Sequence, residues 1–227
     1  MLGKPQSPAE PGCSQVLRWP TARSRDWTEG FLRFANSNPN ILTVVAVGSA
    51  VRPCVTSTDI DLIVVCREPN AFEQFPPLEV DLRVYSAAAI DAQVENGHDI
   101  LGWAVKYGRT LYQRDHFWDR IVNSWEGRLP LPPSKLARAR ATAAYRHLSN
   151  VVRFGDVDAA YEQALSYLTH LARAELLDSG VYPASRPELP EQLRSIRKFR
   201  LAERLDRLLH VESAELPEFD ELLKFAV

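Results

Sequence analysis

The stretch Val47-Gly48-Ser49-Ala50-Val51-Arg52-Pro53-Cys54-Val55-Thr56-Ser57-Thr58-Asp59-Ile60-Asp61-Leu62-Ile63-Val64-Val65 decides how the chain reads. Just before it, Ile41 to Val47 is β-branched and almost continuously hydrophobic, the pattern of a strand covered on both faces. That run stops at Gly48-Ser49, and a second run, Ile60 to Cys66, follows a ten-residue link. Residues two apart in a strand point to the same face, so Asp59 and Asp61 set two carboxylates side by side at the start of an otherwise apolar strand. Like charges held that close repel unless something positive lies between them. Hard divalent cations suit the arrangement, because Mg²⁺ takes oxygen ligands from one or two carboxylates together with substrate phosphates. A turn residue followed by a solvent-facing strand residue would also read Asp-x-Asp. Acids in a strand this apolar, however, oppose β-propensity and burial together, a conflict expected chiefly at functional sites.

Working outward, Leu78 to Tyr85 is the third strand expected, and it carries Asp81 and Arg83. If it pairs beside Ile60–Cys66, Asp81 becomes a third carboxylate, and three are what a two-metal site needs. Gly48 and Ser49 end the first strand, where glycine lets the backbone approach a ligand and the following N–H groups can cradle phosphate. Arg52 could neutralise polyphosphate oxygens.

Gly-Ser, nine residues, Asp-Ile-Asp-Leu and a later hydrophobic-Asp-hydrophobic strand together resemble the nucleotidyltransferases of the DNA polymerase beta superfamily, especially the small bacterial, minimal or kanamycin-type members. The resemblance runs from about Asp26 to Asp115 and takes in His98-Asp-Ile-Leu-Gly-Trp103, Tyr107-Gly108-Arg109 and Leu111-Tyr112. It implies that Asp59 and Asp61 bind two Mg²⁺ ions, and that Asp81 shares a metal and helps deprotonate an acceptor hydroxyl. It implies too that Gly48, Ser49, Arg52 and Thr58 belong to the nucleotide site, with ATP as the expected NTP. Two residues depart from the family pattern. Pro53 stands where glycine is usual, fixing φ and removing an N–H, and Thr58 replaces a serine while keeping the hydroxyl.

The fold class expected is therefore an α+β nucleotidyltransferase domain, a small mixed sheet flanked by helices, followed by an all-α helical bundle. Residues 1–24, with Pro5, Pro8, Pro11 and Pro20 among small and polar residues, read as a flexible leader. Asp26 is a candidate N-cap for a helix through Trp27, Phe31, Leu32 and Phe34, and the transferase domain spans 25–128. Leu129-Pro-Leu-Pro-Pro133 is the strongest linker signal. Residues 134–227 read as helices over Lys135–Val152, Val157–Asp178, Glu188–Phe199 and Leu201–Val211. Within them, Gly180 to Leu193 is similar to the HEPN-like, substrate-binding helical domain fused to such transferases. The cleft between the two domains is where an unidentified acceptor is expected.

The HEPN ribonuclease pattern of Arg, a short gap and His is met by Arg140…His147 and Arg204…His210, but an arginine-rich chain yields such matches by chance. Arg194, Arg197, Lys198 and Arg200 read as a solvated face, so RNA is not favoured as a partner. Trp103 and Tyr107 read as core packing.

The 227 residues are 45% hydrophobic and 25% charged with a net charge of -2, which excludes a disordered or collagen-like chain and a globally basic nucleic-acid binder. Cys13, Cys54 and Cys66 have neither disulfide nor zinc spacing, which points to reduced thiols in the cytoplasm, and Ile60–Cys66 has strand length rather than membrane length. The activity expected is Mg²⁺-dependent transfer of a nucleoside monophosphate from an NTP to an acceptor hydroxyl. The competing class is a catalytically silent nucleotide-binding or toxin–antitoxin interaction protein. A homodimer is compatible with either.

Overall fold

The computed structural model describes residues 15–53, 58–69 and 74–210. The chain divides into two compact units between Pro130 and Leu131.

The first unit opens with helix α1, Ala22–Ser37, whose N-cap is Thr21 rather than Asp26. Thr21 Oγ1 accepts the Ser24 N–H at 3.1 Å, and Ser24 Oγ accepts the Thr21 N–H at 3.2 Å. This reciprocal box satisfies two otherwise orphaned donors, with serine in the place glutamate usually takes. Residues 15–24 of the expected leader are described. Val16 is buried among residues of α1 and the sheet, and the Leu17 and Arg18 N–H groups donate to the Ala50 carbonyl at 3.0 and 3.2 Å. The leader's residues 1–14 lie outside the described residues.

Four strands follow: β1 Ile41–Val47, β2 Ile60–Cys66, β3 Val80–Ser86 and β4 Arg109–Gln113, in the order β3-β2-β1-β4. β1 is antiparallel to both neighbours and β2 is parallel to β3, so the sheet is mixed. Every residue of β1 is buried, which accounts for its almost continuously apolar composition, and its one polar residue, Thr43, donates its hydroxyl to the Tyr112 carbonyl at 2.7 Å. Phe31, Leu32 and Ala35 of α1 share a core with Val44, Ala46, Leu62 and Val64 on one side of the sheet. Val45, Val47, Ile63 and Val65 share the other with helices α2 Ile90–Glu95, α3 Asp99–Tyr107 and α4 Phe117–Trp125, through Val94, Leu101 and the buried Trp118. The third strand begins at Val80, not Leu78, which lies exposed in the preceding turn. Helix α4 was not legible from periodicity. The chain enters it through Asp115 and His116, both near φ +50°, a left-handed step that neither residue type signals in advance.

The second unit contains α5 Ser134–Phe154, α6 Val157–Asp178, α7 Leu189–Ser195 and α8 Phe199–Leu209, with a 3₁₀ turn at Arg186–Glu188. Leu148, Leu165, Leu168, Leu176, Leu189, Leu193, Leu205 and Leu208 belong to its core. Asp156 caps α6 by accepting the Ala159 N–H at 3.0 Å. The helix expected over Glu188–Phe199 is shorter, because the break expected before Leu201 falls earlier. α7 stops at Ser195, Arg197 takes φ +62°, and a new helix starts at Phe199. Val211, the expected end of the last segment, lies outside the described residues. In the basic cluster, Arg194 pairs with Asp206 at 2.6 Å and Lys198 with Glu175 at 2.6 Å, so part of that face is engaged within the unit. Among the described residues no helix is long and apolar enough to cross a membrane.

Candidate carboxylate site

The parallel pairing of β2 with β3 puts Asp61 directly beside Asp81, while β1 on the other flank puts Val47 beside Asp61. The two-residue period places both acids on the side of the sheet occupied by Val45 and Ile63. Asp59 is exposed just ahead of β2, preceded by the exposed Thr58.

Asp61 feels its neighbours strongly. Burial first, then the charges of Asp59 and Asp81, push its carboxyl up to about 6, against the pull of Arg83. When protonated it donates a hydrogen bond to Asp81. Crowded carboxylates in a half-buried setting share protons in this way because two full charges cannot be held there at once.

Arg83 is the one member of the cluster to which the sequence reading gave no role. Its Nε donates to Asp81 Oδ2 at 3.0 Å, its Nη2 bonds the same oxygen, and Nη2 lies 3.8 Å from Asp61 Oδ1. Burial works against the Arg83 charge, but the bond to Asp81 and the fields of both acids outweigh it and push its pKa up. The signal was present in the period-two alternation, since Asp81 and Arg83 share a strand face; nothing in sequence showed that Asp61 would lie next to both.

Gly48 leaves β1 at φ +80°, and a Cβ there would lie 2.6 Å from Asp61 Oδ2. The turn Ser49–Val51 is a 3₁₀ segment with Ala50 and Val51 buried, held from below by the two N–H groups that donate to Ala50. Arg52 follows with its guanidinium 4.7 Å from the centre of the Tyr107 ring, and the Lys106 ammonium lies 5.6 Å from the same ring. Tyr107 also packs on Trp103 at 5.2 Å. Core packing is therefore only part of what Tyr107 does, because two cations also lie within cation–π distance of its ring. On β4, Arg109 pairs in register with Ala46. One end of the sheet thus carries acids on β3 and β2, a glycine turn after β1, and basic residues beyond it.

Residues 54–57, between this turn and Asp59, lie outside the described residues. Among the described residues, no three His, Cys, Asp or Glu side chains are arranged as a ready metal cluster. Cys66 is buried and its thiol is pushed up to about 11 by burial, so it supplies no nucleophile. A cavity of about 480 Å³ lined by Leu42, Arg67, Arg114, Phe117 and Arg120 sits where β1 starts and β2 and β4 end, the opposite end of the sheet from Asp61.

No protein-family model matches this chain, and no curated protein does. Among solved structures, a nucleotidyltransferase-like protein from Exiguobacterium sibiricum is similar, with 18% identity, 89% of this chain and 72% of that chain covered, and a TM-score of 0.42.

Proposed function

We propose that the chain is a nucleotidyltransferase that moves a nucleoside monophosphate from an NTP, ATP being the expected one, to an acceptor hydroxyl and releases pyrophosphate. The observation that carries this reading is the register of Asp61 with Asp81 beside a glycine turn that packs directly on the Asp61 carboxylate. The donor set fits Mg²⁺. Carboxylate oxygens are its preferred ligands, and the crowding that lifts Asp61 is what a divalent cation relieves. Asp59, Asp61 and Asp81 would hold the metal, two ions in the full site, and bound metal would neutralise polyphosphate charge and acidify the acceptor hydroxyl.

The chain's own residues then have separate tasks. Backbone N–H groups after Gly48 receive terminal phosphate oxygens, with Ser49 and Thr58 offering hydroxyls. Arg52, steadied on Tyr107, balances phosphate charge. Asp81 accepts the acceptor's proton. Positioning and charge neutralisation account for most of catalysis in such transfers. The second unit fits a HEPN-like partner domain, and the acceptor is a small polyol, a protein side chain or an RNA end.

One observation favours a second reading, a catalytically silent nucleotide binder of the toxin–antitoxin kind: Arg83 already occupies the Asp81 carboxylate. Pyrophosphate release from NTPs against a panel of hydroxyl acceptors separates the two. Titration calorimetry with ATP and Mg²⁺ tests the site itself, since Asp59→Ala with Asp61→Ala abolishes metal-dependent binding on this reading, and unchanged binding rejects it.

A further inference from the structure

Asp61 and Asp81 lie side by side, yet the space next to them is not vacant of positive charge. The Arg83 fork bonds Asp81 through Nε and Nη2 and reaches within 3.8 Å of Asp61. A guanidinium in that position does electrostatically what a divalent cation would do, supplying positive charge between two acids that otherwise repel. It also holds the Asp81 oxygen toward itself. The Arg83 side chain is 40% exposed, so it is not locked in by packing and has solvent into which to swing.

We propose that Arg83 is the built-in counter-ion of this site, and that a divalent cation loads only by displacing its guanidinium from Asp81 and Asp61. This rests on the transferase reading and adds a loading step to it. In the resting state the arginine keeps the acids compatible with a folded sheet. Under metal and nucleotide it releases Asp81 and turns to solvent or to phosphate oxygens, which its planar fork also matches. Arg83 is a positioning residue in this scheme, acting through the two acids.

The test uses the full chain at pH 8 with Mn²⁺ alone as the probe and free Mn²⁺ read by electron paramagnetic resonance. Arg83→Gln is expected to bind Mn²⁺ about tenfold more tightly than the natural chain, because a competing charge about 4 Å away is gone. Arg83→Lys, which keeps the charge without the fork, is expected to fall between them. In parallel, the Arg83 Nε–H resonance is expected to move as Mg²⁺ is added to the natural chain. Equal or weaker Mn²⁺ binding by a folded Arg83→Gln protein, or an Nε–H signal that ignores Mg²⁺, overturns the counter-ion role and leaves the transferase reading standing. Absence of Mn²⁺ binding in the natural chain and in every variant overturns both. If Arg83→Gln fails to fold, Arg83→Met keeps the side-chain stem and takes its place in the comparison.

Discussion

A β-carbon on Gly48 would sit 2.6 Å from Asp61 Oδ2, closer than any relaxed carbon–oxygen contact. The turn after β1 and the central acid of β2 are therefore fitted to one another. Gly48 also takes φ +80°, where an L side chain is strained.

Gly48→Ala is accordingly expected to lose roughly 1–3 kcal/mol of stability, combining the backbone conformation with the forced shift of Asp61. A double-mutant cycle with Asp61→Ser separates the two, since shortening the acid relieves the clash and leaves the backbone cost. Chemical denaturation of all four proteins measures it. A Gly48→Ala chain as stable as its parent would show that the turn does not press on Asp61.

Stability should depend on pH through Asp61. Its carboxyl sits at about 6 in the folded chain against an ordinary 3.8, so the folded state holds a proton that the unfolded chain gives up. The natural chain is thus most favoured by this group near pH 4 and loses that contribution as pH rises through 6. The loss is roughly 1–2 kcal/mol once partial exposure is allowed for. Asp61→Asn should match the natural chain near pH 4 and exceed it in melting midpoint at pH 7.5; a constant difference across that range would contradict the assignment.

Metal addition should reverse the penalty. At pH 7.5, Mg²⁺ in excess is expected to raise the melting midpoint of the natural chain, because a ligand of the folded state alone stabilises it by mass action. Asp61→Asn and Asp59→Ala should respond less. Differential scanning fluorimetry with and without EDTA reads the effect, and an equal rise in the variants would place the metal elsewhere.

Arg114 joins β4 to the end of α1. Its Nη2 donates to the Asn36 carbonyl at 3.1 Å, with longer bonds to Ala35 and Asn38, and its Nε reaches Ile41 at 3.4 Å. Helix C-termini leave carbonyls without partners, and a cation there also meets the negative end of the dipole. Arg114→Ala should cost about 1–2 kcal/mol. Hydrogen exchange should show the loss concentrated in the last turn of α1; a uniform change along the chain would argue against a local cap.

Gly108 offers a contrast with Gly48. Its φ is ordinary, but a Cβ would fall 2.5 Å from the Ala104 carbonyl and 2.8 Å from Val45 Cγ1. Gly108→Ala should therefore destabilise through overpacking alone, by roughly 1–3 kcal/mol. Pairing it with Val45→Ala should recover part of that cost, and no recovery would mean that the Ala104 carbonyl sets the limit.

The sequence by itself determined β1 and β2 and the approximate place of β3, because a strand buried on both faces must be almost continuously apolar, as β1 is apart from Thr43, and an acid inside such a run stands out; the short β4 has no such signal. It also marked Gly48, Asp59, Asp61 and Asp81 as unusual for their local setting. Helix starts and breaks were less legible. The Thr21–Ser24 box, the left-handed step at Asp115 and His116, and the turn at Arg197 each depend on a backbone conformation that several residue types adopt. What only the tertiary structure decided was adjacency. Register between β2 and β3 is a long-range choice, made by the whole sheet burying its two faces at once, and it places Asp81 beside Asp61 and brings Arg83 against both. Charge is written in the sequence, but the field a carboxylate feels depends on distances of a few ångströms, and those exist only after the strands have paired.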